Sequence, residues 1–187
     1  MPSFGRRAAL ATIGIVALYG WSISRATRPP APVPATAPDT VFSAERAMKH
    51  VGMIAQRPHG MGSADHDRVR DYILGQLTSL GVKPEVQSTT AIGTRYQAAG
   101  HVENIVATLS GSVRPGTTPN GAGRALLIVA HYDGVGAGPA ASDDGAGAAA
   151  MLETLRALRA RKASLAHDVI FLFTDGEESG LLGAAAF

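Results

Sequence analysis

The sequence has no cysteine. Disulfide bonds and thiolate metal sites are therefore excluded, and any metal ion that the chain binds must be held by His, Asp or Glu side chains. Charged residues make up only 17% of the chain, and no stripe of Lys and Arg with interleaved aromatic residues occurs. Because nucleic-acid-binding domains typically carry such a basic surface, nucleic acid is not expected as a partner.

The N-terminus has the residue order of an export signal. Arg6 and Arg7 precede an apolar run from Ala8 to about Ile23, and this order of charge and hydrophobicity is typical of signal peptides and signal anchors. The run is short for a membrane-spanning helix, which needs about 20 residues. A cleaved signal peptide and an uncleaved anchor both stay open, and the anchor is favoured. A buried helix of a soluble domain fits this order less well.

A segment rich in Pro, Ala and Thr follows the apolar run. Such a composition favours an extended spacer over a packed core. The sequence therefore predicts a signal anchor or signal peptide at 1–24, a Pro/Ala-rich linker at 25–40 and a folded domain at 41–187. The domain is expected outside the cytoplasm, in the periplasm or a lumen, and attached to the membrane through the N-terminal segment. If that segment is cleaved, the protein is secreted.

From residue 41 onward, the hydrophobic periodicity predicts helices and strands in alternation. Helical spacing occurs over residues 44–58, 63–81 and 145–158. Strand-like stretches occur at about 83–89, 101–109, 125–130 and 169–173, and Gly111 to Gly123 predicts a surface loop. The last two strands are apolar throughout and are separated by a helix, which indicates a parallel unit. The predicted fold is α/β, with a mostly parallel central sheet flanked by helices.

Polar residues cluster at the ends of these last two strands and at the start of the helix between them. The clusters are His131-Tyr132-Asp133, Ser142-Asp143-Asp144-Gly145 and Asp175-Gly176-Glu177-Glu178. Each cluster alone is weak evidence, because His-x-Asp is often a surface pair and Asp-Asp-Gly often caps a helix. Together they follow strands of one βαβ unit, where ligands of open α/β sheets bind. So many carboxylates would repel one another unless cations neutralised them, and with an imidazole they suit zinc. The sequence therefore predicts a di-metal site.

These motifs also resemble those of a known family. HYDG at 131, AASDDGAG at 140 and DGEESGLLGAAAF at 175 are similar to motifs of the co-catalytic zinc peptidases of clan MH. This family contains bacterial leucyl aminopeptidases, glutamate carboxypeptidase II and the endoplasmic-reticulum or vacuolar membrane peptidases. The resemblance spans roughly residues 41–187, including RPHGMGSADHDRVRDYILGQLTSLG and NIVATLSG upstream. It implies the zinc-exopeptidase fold, two zinc ions and a peptide substrate.

The activity that the resemblance implies is removal of N-terminal residues from peptides by a metal-bridging water, which is aminopeptidase chemistry. A carboxypeptidase or a glutaminyl-cyclase-like enzyme of the same fold stays open. A catalytically silent receptor or scaffold ectodomain is the non-enzymatic alternative. It is less favoured, because every polar position expected within this segment is filled.

The resemblance also implies a role for individual residues. His131 would bind one zinc, Asp143 would bridge both, and Glu178 would bind the other. Asp133 would hydrogen-bond His131 and orient it, and Glu177 would be the general base.

Two further implications concern the neighbourhood of these residues. Asp144 is the alternative bridging ligand, and a cis peptide bond is expected between Asp143 and Asp144. The family carries another Asp ligand and a final His ligand beyond the Glu pair, which here would lie past Phe187. The resemblance therefore implies a catalytic domain whose C-terminal part is missing, in which each zinc lacks one ligand. The isolated chain is expected to be inactive.

Overall fold

A computed structural model describes residues 3–93, 97–112, 125–162 and 164–187 of the chain. The chain divides into two compact units, Met1–Pro32 and Val33–Phe187. Most of the predicted loop between Gly111 and Gly123 lies outside the described residues.

The first unit is built around one exposed helix, α1, which spans Ser3–Ala26 and has 24 residues. At a rise of about 1.5 Å per residue, this helix measures roughly 36 Å, which is enough to cross a hydrocarbon layer about 30 Å thick. Its segment Gly5–Ala26 is the one helix among the described residues that is long and apolar enough to span a membrane. An apolar N-terminal helix is thus confirmed, and it is longer than the apolar run in the sequence indicated.

The second unit combines helices with a four-stranded sheet. Its helices are α2 (Ala44–Ile54), α3 (Ala64–Ser79), α4 (Ala146–Arg161) and α5 (Leu182–Ala186), with an irregular turn at Ala141–Gly145 before α4. Its strands are β1 (Glu85–Ile92), β2 (Ala99–Leu109), β3 (Leu126–His131) and β4 (Val169–Thr174). The predicted helices and strands are confirmed to within a few residues, whereas α5 was not predicted.

Local signals in the sequence explain where the first two of these helices begin and end. The hydroxyl of Ser43 accepts the N–H of Arg46 at 3.2 Å and caps α2. Ser63 accepts the N–H of His66 at 3.2 Å and caps α3 in the same way. Both bonds satisfy a donor that the first turn of a helix leaves unpaired. After α3, Gly81 adopts a φ of +69°, a left-handed conformation that glycine takes without a steric penalty.

The strand order is β1-β2-β4-β3, and the prediction of a mostly parallel sheet is wrong for the described residues. The pairs β1–β2 and β2–β4 are antiparallel, and only β3–β4 is parallel. The parallel pair is the predicted βαβ unit with α4 as its crossover. Between β1 and β2 the connection is only residues 93–98, which is too short for the crossover that a parallel pair needs.

The hydrophobic core lies between one face of the sheet and helices α2, α3 and α4. Its fully buried side chains include Ile54, Ile73, Leu77, Ile105, Leu152, Leu155, Phe171 and Phe173. On β3, by contrast, Leu127 and Val129 are exposed, because the helices cover the opposite face of this edge strand. The core therefore fixes β3 and β4 side by side, with their carboxyl ends at the same edge of the sheet.

Residues 33–41, called here the proline segment, are held against the second unit by arginine side chains. Arg46 donates to the carbonyl oxygens of Ala35 at 2.6 Å, Ala37 at 2.9 Å and Val41 at 2.7 Å. From α4, Arg156 donates to the carbonyl oxygen of Asp39 at 2.8 Å. The predicted linker at 25–40 thus includes residues that the folded unit fixes through backbone contacts.

A buried carboxylate holds these arginines in place. The side chain of Glu153 is fully buried and accepts hydrogen bonds from Arg46 Nε at 3.0 Å and Arg156 Nε at 2.6 Å. It also accepts the N–H of Ser43 at 2.9 Å. Burial opposes ionisation of Glu153, but the hydrogen bonds from Arg156, Ser43 and Arg46 outweigh it and lower the pKa of this carboxyl group.

The division into anchor, linker and domain at residues 24 and 40 stays a prediction.

Candidate metal centre

The three polar clusters lie at the edge of the sheet where β3 and β4 end. His131, the last residue of β3, pairs with Thr174, the last residue of β4. The next residue, Tyr132, continues this contact by donating its N–H to the Thr174 carbonyl at 3.0 Å. The parallel register therefore brings the loop after β3 beside the loop that carries Glu177 and Glu178.

His131 faces carboxylates on both sides of its ring. Its Nε2 atom lies 3.1 Å from Asp143 Oδ1 and 3.9 Å from Glu177 Oε2. Its Nδ1 atom lies 3.0 Å from the backbone oxygen of Asp133. A proton on Nδ1 would donate to that carbonyl and leave Nε2 as the atom directed at the acidic groups, which is how histidine ligands are commonly oriented.

The surroundings of His131 favour a bound cation. Burial lowers the pKa of its imidazole, but the carboxylates of Asp133 and Asp143 outweigh burial and raise the pKa of His131 to about 9. Without a metal ion the ring is therefore protonated near neutral pH. A metal ion would have to displace that proton in order to bind.

The carboxylate of Asp133 binds the backbone of the Glu177–Glu178 pair. Asp133 is buried, and its two oxygens accept the N–H of Glu177 at 3.0 Å and that of Glu178 at 3.2 Å. The same carboxylate lies 3.5 Å from His131 Nδ1, whereas the shorter contact to His131 comes from the Asp133 backbone oxygen. Asp133 thus connects the loop after β3 to the loop after β4.

The two adjacent aspartates of the turn before α4 have different surroundings. The side chain of Asp143 is 83% exposed and contacts His131. The carboxylate of Asp144 accepts the N–H of Gly147 at 3.0 Å, so it caps the first turn of α4. The peptide bond between the two residues is cis, which confirms that prediction. Of the two carboxylates, the one facing the imidazole belongs to Asp143.

Glu177 and Glu178 border a cavity of about 490 Å³, which is also lined by Ser179, Gly180 and Leu181. Burial, then the negative charges of Asp143 and Glu177, raise the pKa of Glu178. These carboxylates repel one another, and a bound cation would relieve that repulsion.

The donor atoms fit zinc by their chemistry and by one distance. Two ligands about 2.05 Å from a tetrahedral zinc lie about 3.3 Å apart, and His131 Nε2 and Asp143 Oδ1 are 3.1 Å apart. Among the described residues, no three His, Asp or Glu side chains gather closely enough to hold a metal ion. The spacing of His131 and Asp143 therefore suits two ligands of one zinc ion.

Two buried residues near the site were not singled out by the sequence analysis. Asp175 was noted only as a member of its cluster, and His66 was not singled out at all. They form a hydrogen bond of 2.8 Å between His66 Nε2 and Asp175 Oδ1. The position of Asp175 at the end of β4 was a usable signal, but a histidine within an amphipathic helix gave none.

Comparison with known proteins identifies relatives of this chain. Residues 104–187 match the family model of peptidase family M28. The chain is 32% identical over 161 residues to a vacuolar membrane protease of Yarrowia lipolytica, an alignment that covers 75% of this chain and 16% of the relative. It is 34% identical over 139 residues to a vacuolar membrane protease of Candida albicans, covering 72% of this chain and 15% of the relative. The chain thus spans less than a fifth of the length of these relatives.

Solved structures share the fold. A glutaminyl cyclase of Porphyromonas gingivalis superposes with a TM-score of 0.61 at 25% identity, over 76% of this chain and 54% of that chain. A Zn-dependent exopeptidase of Parabacteroides distasonis superposes with a TM-score of 0.57 at 20% identity, over 78% of this chain and 50% of that chain. The α/β fold is therefore of the zinc-exopeptidase type. Since the family match covers β3, α4, β4 and all three polar clusters, the chain belongs to peptidase family M28, a family of zinc metallopeptidases.

Proposed function

We propose that the protein containing this chain is a zinc-dependent exopeptidase that removes N-terminal residues from peptides. The observation that carries this proposal is the meeting of His131, Asp143 and Glu177 at the ends of β3 and β4, within 3.9 Å of the His131 Nε2 atom. An imidazole next to carboxylates suits zinc, and of these three side chains His131 and Asp143 are the proposed ligands while Glu177 stays unligated.

His131, Asp143 and Glu178 are the residues that would hold the metal ions, of which we propose two. Asp143 is the proposed bridge, because its exposed carboxylate is free of helix capping whereas that of Asp144 is engaged with Gly147. Zinc held by these residues would polarise the substrate carbonyl and lower the pKa of the attacking water. Ligands from the rest of the protein would complete both coordination shells.

Glu177 is the proposed general base. Its side chain is 37% exposed, so it is accessible from the cavity, and its Oε2 atom lies near the imidazole of His131. A carboxylate in this position takes a proton from the attacking water and passes it to the leaving amine. This role requires that Glu177 itself does not bind a metal ion, because ligation would make it a weaker base.

Asp133 is proposed to keep these roles apart. Its carboxylate fixes the backbone N–H groups of both Glu177 and Glu178. The two residues lie in a turn, in which the carbonyl of Glu177 accepts the N–H groups of Gly180 and Leu181 at 2.9 Å, so the backbone of the pair is held from both sides. One glutamate can therefore face the metal ions while the other faces the water.

A cyclase of the same fold is the second candidate, and the likeness to the glutaminyl cyclase of Porphyromonas gingivalis favours it. In a cyclase, the attacking group is the α-amine of the substrate rather than water, and ammonia leaves. The two activities differ in product, because hydrolysis releases a free amino acid. A silent receptor or scaffold ectodomain is less favoured, since His131, Asp143, Glu177 and Glu178 are all present, whereas a carboxypeptidase of the same fold stays open.

We further propose that α1 anchors the protein in a membrane, with the second unit in an extracytoplasmic compartment. Arg6 and Arg7 lie at the start of α1, and its apolar length suffices to span. If the helix is cleaved as a signal peptide, the protein is secreted instead.

Metal removal from the full-length protein tests the proposed activity. A chelator should abolish the release of amino acids from dipeptides and aminoacyl-anilides, and zinc or cobalt should restore it. Substrates with a blocked N-terminal amine should remain uncut, because an aminopeptidase requires that amine. Activity that resists the chelator would contradict the proposal, and ammonia release from N-terminal glutaminyl peptides without hydrolysis would favour the cyclase.

A further inference from the structure

We infer that His66 is a positioning residue, which holds the Glu177–Glu178 loop and the His131 loop in register from a helix outside the metal site. The inference rests on the proposed function only for its effect on catalysis. The structural part of the inference is that His66 keeps the two loops in a fixed arrangement, and it rests only on contacts between buried side chains.

His66 contacts the loop after β4 through Asp175. Its side chain is 3% exposed, that of Asp175 is 1% exposed, and their polar atoms are 2.8 Å apart. The short distance places the two polar atoms in a hydrogen bond, which would be donated by His66 Nε2 in the tautomer that carries its proton there. Hydrogen bonds to a buried charged group are costly to lose. This bond therefore constrains where β4 ends and its loop begins.

The other groups of Asp175 are also engaged. Its second oxygen accepts the N–H of Glu103 at 2.9 Å, and its own N–H donates to Asn104 Oδ1 at 3.1 Å. Its carbonyl accepts the N–H of Gly183 at 2.8 Å. Asp175 is thus fixed to β2 on one side and to the start of α5 on the other, and His66 supplies the remaining contact from α3.

His66 contacts the loop after β3 through Tyr132. The two rings are stacked, with centroids 4.9 Å apart and an interplanar angle of 20°. Tyr132 also donates its hydroxyl to the carbonyl of Glu103 at 2.8 Å. Since Tyr132 lies between His131 and Asp133 in the chain, its ring position constrains both neighbours.

One side chain on α3 therefore contacts both loops that carry the proposed ligands and base. Removing it would leave the Asp175 carboxylate with one partner fewer and a void beside Tyr132. We expect Glu177 and Glu178 to lose a defined position relative to His131, although none of these three residues is changed. Contacts of this kind behind metal ligands typically alter metal affinity or activity by about 10-fold to 100-fold.

The test compares three variants in the full-length protein. His66→Leu removes the hydrogen bond and the aromatic ring, whereas His66→Gln retains an N–H donor near the position of Nε2. The matched control is His50→Leu, because His50 is a half-buried histidine that contacts Tyr72 on α3 and none of the site residues.

Hydrogen exchange of residues 175–183 is the readout that needs neither metal nor activity. His66→Leu should accelerate exchange there by about tenfold or more, with His66→Gln closer to wild type and His50→Leu unchanged. In the zinc-loaded enzyme, kcat should fall with KM little changed, and the spectrum of the cobalt-substituted protein should shift only in His66→Leu. If His66→Leu does not fold, Asp175→Asn replaces it in the same comparison.

The outcomes separate this inference from the proposed function. Unchanged exchange in His66→Leu, or equal acceleration in His66→Leu and His50→Leu, would overturn the inference. Wild-type protein without metal-dependent hydrolysis would overturn the proposed function, while faster exchange confined to the His66 variants would still support the positioning role.

Discussion

The buried carboxylate of Asp133 accepts the backbone N–H of Glu177 at 3.0 Å. Asp133 follows β3 and Glu177 follows β4, so this bond joins the ends of two adjacent parallel strands. It connects a side chain after β3 to the main chain after β4. The charge of Asp133 thereby acts on the position of Glu177 without contact between their side chains. In the proposed site, reaction, metal binding and support of the backbone thus fall to different residues, and substitutions at each should have different effects.

Replacement of Asp133 by Asn should reduce activity without unfolding the protein. The amide keeps one acceptor oxygen, but its NH₂ group would face a backbone N–H, so one of the two bonds to Glu177 and Glu178 is lost. We expect kcat/KM to fall by about 10-fold to 100-fold, as for other residues that orient metal ligands. Asp71→Asn, at an exposed aspartate on α3, is the matched control. Equal activities of the two variants would contradict this role.

Glu177→Gln should separate catalysis from metal binding. Glutamine keeps the shape of the side chain but cannot accept a proton from water at neutral pH. We expect kcat to fall by roughly 10²-fold to 10⁴-fold, with zinc content and KM near wild type. Steady-state kinetics and metal analysis of the same preparation check this, with Glu85→Gln on β1 as a control.

Glu178→Gln should instead lower the zinc content, because a neutral amide is a poorer zinc ligand than a carboxylate. Activity should recover in part when excess zinc is added. If Glu177→Gln loses zinc and Glu178→Gln keeps it, the two roles are reversed.

Glu153→Gln should destabilise the second unit and release the proline segment. Removing one partner of a buried ion pair leaves the other charges uncompensated, which typically costs about 3–5 kcal/mol. We expect a lower midpoint of thermal unfolding and faster proteolysis within residues 33–41. Asp67→Asn, whose side chain is 57% exposed beside Arg70, should change stability by less than about 1 kcal/mol. Similar proteolysis of both variants would show that Glu153 does not hold this segment.

The residue order of the N-terminus should direct export. Alkaline phosphatase fused after Pro38 should be active in a bacterial host, because this enzyme requires the oxidising periplasm to form its disulfides. The same fusion with Ile13→Lys and Val16→Asp should be inactive, since two charges interrupt the apolar length of α1. An inactive fusion with the unchanged sequence would argue against export.

The sequence was sufficient to predict the βαβ unit and its polar clusters, because these depend on local signals. The apolar residues of β3 and β4 and the polar residues that follow them are visible within short windows. The antiparallel pairing of β2 with β4 was not predictable in this way, since contacts such as Ile105 with Phe173 join distant parts of the chain.

The candidate site also combines features that local signals predict with contacts between distant parts of the chain. His131, Asp143 and Glu177 follow from motif order, and the cis peptide bond was expected only through the family resemblance. The partner of Asp175 was hidden, because His66 lies 109 residues earlier in the chain. The binding of proline-segment carbonyls by Arg46 was equally hidden, since the acceptors are backbone atoms that every sequence has.

The attachment of the proline segment also determines where the protein can be shortened for expression in soluble form. A version that starts at Phe42 would strip Arg46 of its carbonyl acceptors at Ala35 and Ala37, and would leave guanidinium groups around Glu153 without their backbone ligands. Removal of α1 should therefore end between Ala26 and Val33, so that the Arg46–Glu153–Arg156 group keeps every residue that it binds.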